Sequence, residues 1–589
     1  MLEEKTVDRN QIIGFVLIAL ILIGMSWWAS NQEESIEQVK EKSLVESSIV
    51  EFSDRALSNT SLFLEEENSS LDTNNYLVSA IETYVLENEK VKYTFTSLGA
   101  QISKVELKDY NDYRGEPLYL VNGRHKIEGA NKGVFSGLIE KDIDGNQSLS
   151  MENNLTQWTF TLGSGYGLQW FLTVPSVESV SLKWKQDGIR HEKSVTNENQ
   201  NTTTYFFEAE DEKKDYLKNG RDDDDIASDI SWVAHKQQYF SSIWTSDKPF
   251  SSVQLSTTTP PVDDSSHTRQ FRSIMNLEGD EGGVTASGLI YHGPNQYLEL
   301  KSFDKHFDEI IPFGWGIFGW ISKGLVVPMF NAMEGFGWSY GLIIFLMAFI
   351  IKLALSPLTF ASYKSMAKMR LLKPEMDELG EKYKDDAQKK QQETMLLYQK
   401  AGVNPLGGCI PQLLQFPILI AMFRFFPASI ELRQESFLWA TDLSSYDSIF
   451  NFGHWFSIPF YGDHISLFTI LMAISTFLYT RFNNSMTPSS NNMMQQQMMI
   501  IQYLMPIMLL VWFNNYASGL SYYYFVSNVL IFGQQWSIKK FFINEDKLRA
   551  KIDATKTKGG KQSKLSRKMN EMMEAQKDTG NRRARRLDK

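Results

Sequence analysis

Gly341-Leu-Ile-Ile-Phe-Leu-Met-Ala-Phe-Ile-Ile-Lys-Leu-Ala-Leu355 is apolar throughout except for one charge, Lys352. An apolar run of this kind predicts a membrane-spanning helix, placed at 338–357. A charge near the centre of such a helix costs roughly 2.5–3.5 kcal/mol, so Lys352 needs a reason. Position alone leaves two open. The lysine lies shortly before Ser356-Pro357, near one end of the run, where its ammonium can snorkel to the interface. The alternative is that it is kept for work inside the bilayer.

Other apolar runs accompany it. The earliest, 12–28, has no charge and closes on the interfacial pair Trp27-Trp28. Ala29-Ser30-Asn31-Gln32-Glu33-Glu34 follows with no A-x-A-like cleavage site, which predicts a retained signal anchor after a short N-terminus at 1–11. Further spans are expected at 404–430, 464–481, 498–514 and 519–537. Several fall short of the roughly 20 residues that cross a full hydrocarbon core, and they carry Pro411, Pro417 and Pro506. Neighbouring helices must then satisfy the freed backbone groups. The expected architecture is an integral membrane α-helical bundle with six transmembrane helices.

Charge orients the bundle. Residues 31–310 hold 26 basic and 47 acidic side chains, whereas 538–589 hold 17 basic and 7 acidic. Short loops, on which the positive-inside rule is properly counted, agree: 431–463 contains Arg433 as its sole basic residue, and 514–519 contains none. Both termini, the lysine-rich segment 358–403 and the loop 482–497 are therefore expected inside. The segment 29–312 and the loop 431–463 are expected outside.

The external segment opens with a Ser, Glu and Asn-rich stretch, 29–75, whose low hydrophobicity predicts a flexible linker. From 76 to 312 the period changes to that of half-buried strands, as in Val91-Lys-Tyr-Thr-Phe95, Trp158-Thr-Phe-Thr-Leu162 and Leu168-Gln-Trp-Phe-Leu-Thr-Val174. The expectation is a large all-β domain of sandwich type, two antiparallel sheets packed face to face. Cys409 is the sole cysteine, so no disulfide staples that domain. The acidic run 222–225 lacks the spaced oxygen ligands of a calcium loop and reads as a solvated loop. The sequons at Asn154 and Asn201 matter only in a host that glycosylates secreted chains. Residues 313–336, with Trp315, Trp320 and Lys323 among apolar residues, predict an amphipathic helix lying on the outer interface, or else a buried helix of the external domain.

Inside, 358–403 alternates charge with Met and Leu at helical spacing, divided at Lys373-Pro374 and by the polar stretch 384–390. It reads as a helical hairpin whose Met-rich stripe suits transient binding of apolar segments. The chain has no P-loop, no H-E-x-x-H, no G-x-S-x-G and no cluster of its 8 histidines. No enzyme, metal or cofactor is expected, and any work must come from differential solvation and binding.

At Asn404-Pro-Leu-Gly-Gly-Cys-Ile-Pro-Gln-Leu-Leu-Gln-Phe-Pro-Ile418 the chain resembles the YidC family of membrane-protein insertases. Ser356-Pro-Leu-Thr359, Ser365-Met-Ala-Lys-Met-Arg370, Glu431-Leu-Arg-Gln434, Met505-Pro506, Ser518-Gly-Leu520 and Tyr523-Tyr-Phe-Val-Ser-Asn528 extend the resemblance over most of 338–540. It implies a five-helix insertase core with a hydrophilic groove that is open to the cytoplasm and to lipid and holds one positive charge. The family's charge is typically arginine. The matching position, five before Pro357, is Lys352, which keeps the charge but loses the planar fork that grips carboxylates in two places. Ala348, one turn earlier, stands where relatives often have a hydroxyl.

Tyr524 matches a substrate-contacting tyrosine, and Gln415 is assigned to the groove with it. Gln412 and Gln415 share a helical face, as do Ser521, Tyr524 and Asn528. Taken without the resemblance, such residues are more often hydrogen-bonding glue between helices. The implied function is insertion and folding of inner-membrane proteins of a bacterium, alone or with the Sec translocon. The implied partners are nascent membrane proteins, membrane lipids and, through the tail and hairpin, the ribosome, with the chain acting as a monomer. A solute transporter would also use a buried lysine, and a scaffold would use the external domain for docking. Against the transporter stand the lack of inverted repeats and the single charge.

Overall fold

The computed structural model describes residues 81–557, except 124, 131, 262–263, 385, 404–409, 454–455, 457, 459–460 and 487–492. The expected signal anchor at 12–28, the linker at 29–75 and the tail beyond 557 lie outside the described residues.

Strands form where the period of two runs. Val91–Thr96 buries Val91, Tyr93 and Phe95 and leaves Lys92, Thr94 and Thr96 half exposed. The turn before it is set by Asn88, whose Oδ1 accepts from the amides of Lys90 and Val91, both at 2.8 Å. Thr83–Glu87, Val91–Thr96, Gln101–Asn111 and Pro117–Asn122 pair in that order as an antiparallel meander. A 12-stranded antiparallel sheet follows. Its long strand Phe240–Thr258 pairs with Asp223–Lys236, and also with both His267–Glu278 and Gly283–Pro294 at different points along its length.

The two sheets share one core. Trp158, Trp170, Trp184, Trp232 and Trp244 are fully buried, and Phe95 of the smaller sheet lies 4.8 Å from Phe160 of the larger. Each such aromatic contributes roughly 1.5–3 kcal/mol by leaving water. Around Trp184 the buried polar groups are paired: its Nε1 donates to His125 Nε2 at 3.0 Å, and the His235 ring stacks on it at 3.5 Å. Burial holds His125 down to about 4, so it stays neutral in this core.

One carboxyl in this domain predicts a pH dependence. Helix α1 (Val195–Gln200) is capped by Ser194, which accepts from Asn197 N, and it carries Glu198, which is fully buried. The Glu198 carboxyl accepts from the amides of His191 at 3.0 Å and Glu192 at 3.1 Å. Desolvation, and then the neighbouring Glu192 charge, push it above its ordinary value of 4.5. The folded state therefore binds a proton that the unfolded chain has already released, and stability falls as pH rises above about 4.5. Glu198→Gln should remove that fall. The stability of the variant relative to wild type is expected to become more positive from pH 5 to pH 8, by at most about 1.4 kcal/mol per pH unit. Buried histidines that do not touch Glu198, such as His125, contribute equally to both proteins and cancel. Thermal unfolding of the full chain at both pH values checks it, and a gap independent of pH would contradict the assignment.

After the short helix α2 (Tyr297–Ser302), residues 316–334 run as helix α3 (Gly316–Ile321), a π turn Ser322–Val326 and helix α4 (Val327–Glu334). This segment is two-faced. Ile321, Val326 and Phe330 are buried, with Phe330 against Phe425 at 5.2 Å, while Trp315 and Trp320 are exposed.

Helix α5 (Tyr340–Ala354) bends by 58° into α6 (Ser356–Leu371). Pro357 sits in the first turn of α6, where its missing N–H costs nothing. Gly341 must be glycine, because a Cβ there would lie 2.1 Å from the Phe437 ring. The hairpin region contains α6, α7 (Lys373–Lys382) and α8 (Ala387–Lys400), divided near both expected breaks. Helices α9 (Ile410–Ala428), α10 (Leu467–Met486), α11 (Met493–Phe513) and α12 (Ser518–Ser537) complete the bundle. Among the described residues no single helix is long and apolar enough to cross a membrane, though the bent pair α5 and α6 together meet that measure. Leu414–Ala428, Leu467–Phe482 and Tyr503–Phe513 are shorter apolar helices.

The beginning of the basic tail is ordered. Helix α13 (Glu545–Thr557) sets Ile552 among Met369, Leu372, Tyr398 and Val403 of the hairpin region. Arg370 pairs with Glu545 at one end, and Lys556 with Glu375 at 2.5 Å at the other.

Candidate functional site

Lys352 lies on the buried face of α5 and is 4% exposed, with Ala348 fully buried one turn before it. Helix periodicity alone puts both on this face. Among the described residues no carboxylate stands within ion-pair distance of the Lys352 ammonium. Its backbone carbonyl is also engaged, because Gln534 Nε2 of α12 donates to it at 2.8 Å. The Gln534 Oε1 is buried, and among the described residues it has no hydrogen-bond partner. An uncompensated cation and an open acceptor thus come from two helices that pack together.

The other expected site residues divide. Tyr524 is half-buried on α12, its ring 5.7 Å from Phe513. Gln415 is half-buried on α9, and Gln412 lies in the first turn of that helix, its side chain outside the described residues. Ser521 is fully buried and shares a 3.2 Å hydrogen bond with Thr469 of α10. That is a bond between helices, with no face left for a substrate. Asn528 has both characters. It donates to Ser475 at 3.1 Å and Thr476 at 2.8 Å, and it also lines a cavity of about 450 Å³ between α10 and α12 with Ser475, Leu478, Arg481, Phe482, Val529 and Phe532. The walls are largely apolar, and Arg481 adds a guanidinium.

Sequence reasoning missed Gln534 and Arg481. Gln534-Gln535 inside an apolar run was a visible signal, but nothing local pairs it with Lys352, 182 positions away. Among the described residues no three His, Cys, Asp or Glu side chains come together as a metal site. The described residues thus offer a charge and an open acceptor at Lys352 and Gln534, and a largely apolar cavity between α10 and α12.

Residues 331–547 match the family described as 60Kd inner membrane protein, and residues 176–328 match the YidC periplasmic domain. The membrane protein insertase YidC of Parabacteroides distasonis is 34% identical, covering 97% of this chain and 98% of its own length. That of Amoebophilus asiaticus is 36% identical, covering 94% and 95%. Among solved structures, an active YidC insertase with its first transmembrane domain resolved is similar at 18% identity, covering 79% of this chain and 94% of that one, with a TM-score of 0.32.

Proposed function

The chain belongs to the YidC family of membrane protein insertases, and from that membership we propose that it inserts its substrates through a wet, inward-open groove whose charge is Lys352. The bundle spans the membrane six times, with 12–28 as anchor, α5 and α9 to α12 as the five-helix core, and both termini in the cytoplasm. The β domain and the loop 431–463 face the periplasm. The carrying observation is Lys352 itself, held on a buried helical face with no acidic partner among the described residues.

A hydrophilic substrate tail enters from the cytoplasm, and Lys352 draws its acidic residues part-way across. At an effective dielectric of about 20, a carboxylate some 4 Å from the ammonium gains on the order of 4 kcal/mol. That compares with the cost of carrying one charge into the bilayer. The substrate's apolar helix then leaves along Gln415 and Tyr524 into lipid, and the membrane potential assists negative tails by about 2.3 kcal/mol per charge per 100 mV. No nucleotide is needed for these steps.

Nascent membrane proteins are the substrates. The hairpin and α13 pack together on the cytoplasmic side and lead into the basic remainder of the tail, which suits a ribosome, and the Sec translocon is a further partner. Photocrosslinkers tell these assignments apart. Probes at Gln415 and Tyr524 should trap nascent spans, and a probe at Lys547 on α13 should trap ribosomal components. Trapping only of the chain's own helices at 415 and 524 would reduce those residues to structural glue.

A further inference from the structure

Among the described residues a buried ion pair ties the β domain to the bundle. Arg433, in the loop after α9, donates from Nε to Glu192 Oε1 at 2.7 Å and from a terminal nitrogen to the His191 carbonyl at 3.3 Å. Both side chains are nearly sealed from solvent, at 2% and 10% exposure, and the guanidinium lies 5.1 Å from the Phe240 ring centre. Its neighbour Gln434 donates to the carbonyls of Asn111 at 3.2 Å and Asp112 at 2.9 Å. On the other flank Asn197 of α1 donates to the Asn515 carbonyl, in the turn between α11 and α12, at 2.9 Å.

What the loop holds matters as much as what holds the loop. Gly519 N donates to the Leu443 carbonyl at 3.0 Å and Ser518 N to the Ser445 carbonyl at 2.7 Å, so the loop seats the first turn of α12. Asp447 accepts from the amides of Leu467 and Phe468 and so seats the first turn of α10. A continuous path of hydrogen bonds thus leads from α1 of the β domain to the outer ends of two groove helices. A buried arginine–carboxylate pair is a poor source of net stability but a strong constraint on geometry, because neither charge tolerates losing the other.

We propose that Arg433 is a positioning residue: paired with Glu192, it clamps the periplasmic domain onto the 429–447 loop and so keeps the outer end of the groove shut. The proposal rests on the inward-open groove above. The clamp leaves the groove open only toward the cytoplasm, so a substrate tail is met by Lys352 without a water path running through the membrane. The clamp acts through α10 and α12 and does not touch the substrate.

The test uses the full chain in vesicles, with Cys409→Ser as background and Asn197→Cys with Asn515→Cys as a pair for a short bis-maleimide. Arg433→Gln and Glu192→Gln are each expected to lower cross-linking at least tenfold, to raise leak of a small anionic dye severalfold, and to lower insertion yield. The exchange Glu192→Arg with Arg433→Glu should restore all three readouts, which a generally unfolded variant would not do. Full cross-linking in both single variants overturns the clamp. Lost cross-linking with unchanged leak reduces it to a structural tether and overturns the proposed role. Lys352→Glu serves as control. If it leaves insertion intact while Arg433→Gln still opens the leak, the groove charge has failed and the clamp stands.

Discussion

Lys352→Glu should abolish insertion of substrates with acidic tails, while Lys352→Arg should retain it. The size of the effect follows from the sign of one charge. A carboxylate near Lys352 gains on the order of 4 kcal/mol at an effective dielectric of about 20, and the same carboxylate beside a glutamate loses a similar amount. A swing of that size is several orders of magnitude in the transfer equilibrium, whereas Lys352→Arg keeps the charge and adds the fork that pairs with a carboxylate in two places. Lys352→Gln should fall between them. In vitro insertion of one substrate with its tail acidic or neutralised measures all three, and equal activity of the Arg and Glu variants would remove the electrostatic role. The acidic-tail dependence also separates an electrostatic effect from misfolding, because a collapsed bundle would lose both tails alike.

The second large effect is expected at Asp447, a residue with no part in substrate contact. Its carboxylate is 3% exposed. Oδ2 accepts from the amides of Leu467 at 2.8 Å and Phe468 at 3.0 Å and from Trp439 Nε1 at 2.9 Å, and Oδ1 accepts from the Ser466 hydroxyl. One anion thus serves the start of α10, where the helix dipole favours negative charge, and pins the loop to it. Asp447→Ala strands several buried donors at about 1–3 kcal/mol each, so a loss of about 3–4 kcal/mol is expected. Asp447→Asn keeps one acceptor and should lose less. Denaturation of the solubilised full chain gives the order wild type, Asn, Ala. A fully stable Ala variant would mean that the network carries no weight.

Lys352 was legible because an isolated charge in an apolar run is a one-dimensional fact, and its helical face follows from a period of 3.6. The strands of the β domain were legible for the same reason: Val91, Tyr93 and Phe95 alternate with Lys92, Thr94 and Thr96, and Val91–Thr96 folds with that alternation. Ser521 shows where this stops. Its spacing from Tyr524 and Asn528 put it on a polar face, but the face meets Thr469 of α10, so its hydroxyl is already used. The order of α13 was hidden in the same way, because its two ion pairs and its apolar contact lie with residues far back in the chain.

By itself the sequence determined the kind of molecule this is: apolar helices with a lysine set inside one of them, a β domain without disulfides, a basic C-terminal tail and a family. Those properties are periodic or compositional, and a short window of residues carries them. The tertiary structure alone decided who meets whom. Gln534 comes to the Lys352 carbonyl from 182 positions away, and Glu192 to Arg433 across 241. Such pairs depend on how sheets and helices pack, and burial then makes a polar group that is commonplace on a surface costly to leave unpaired.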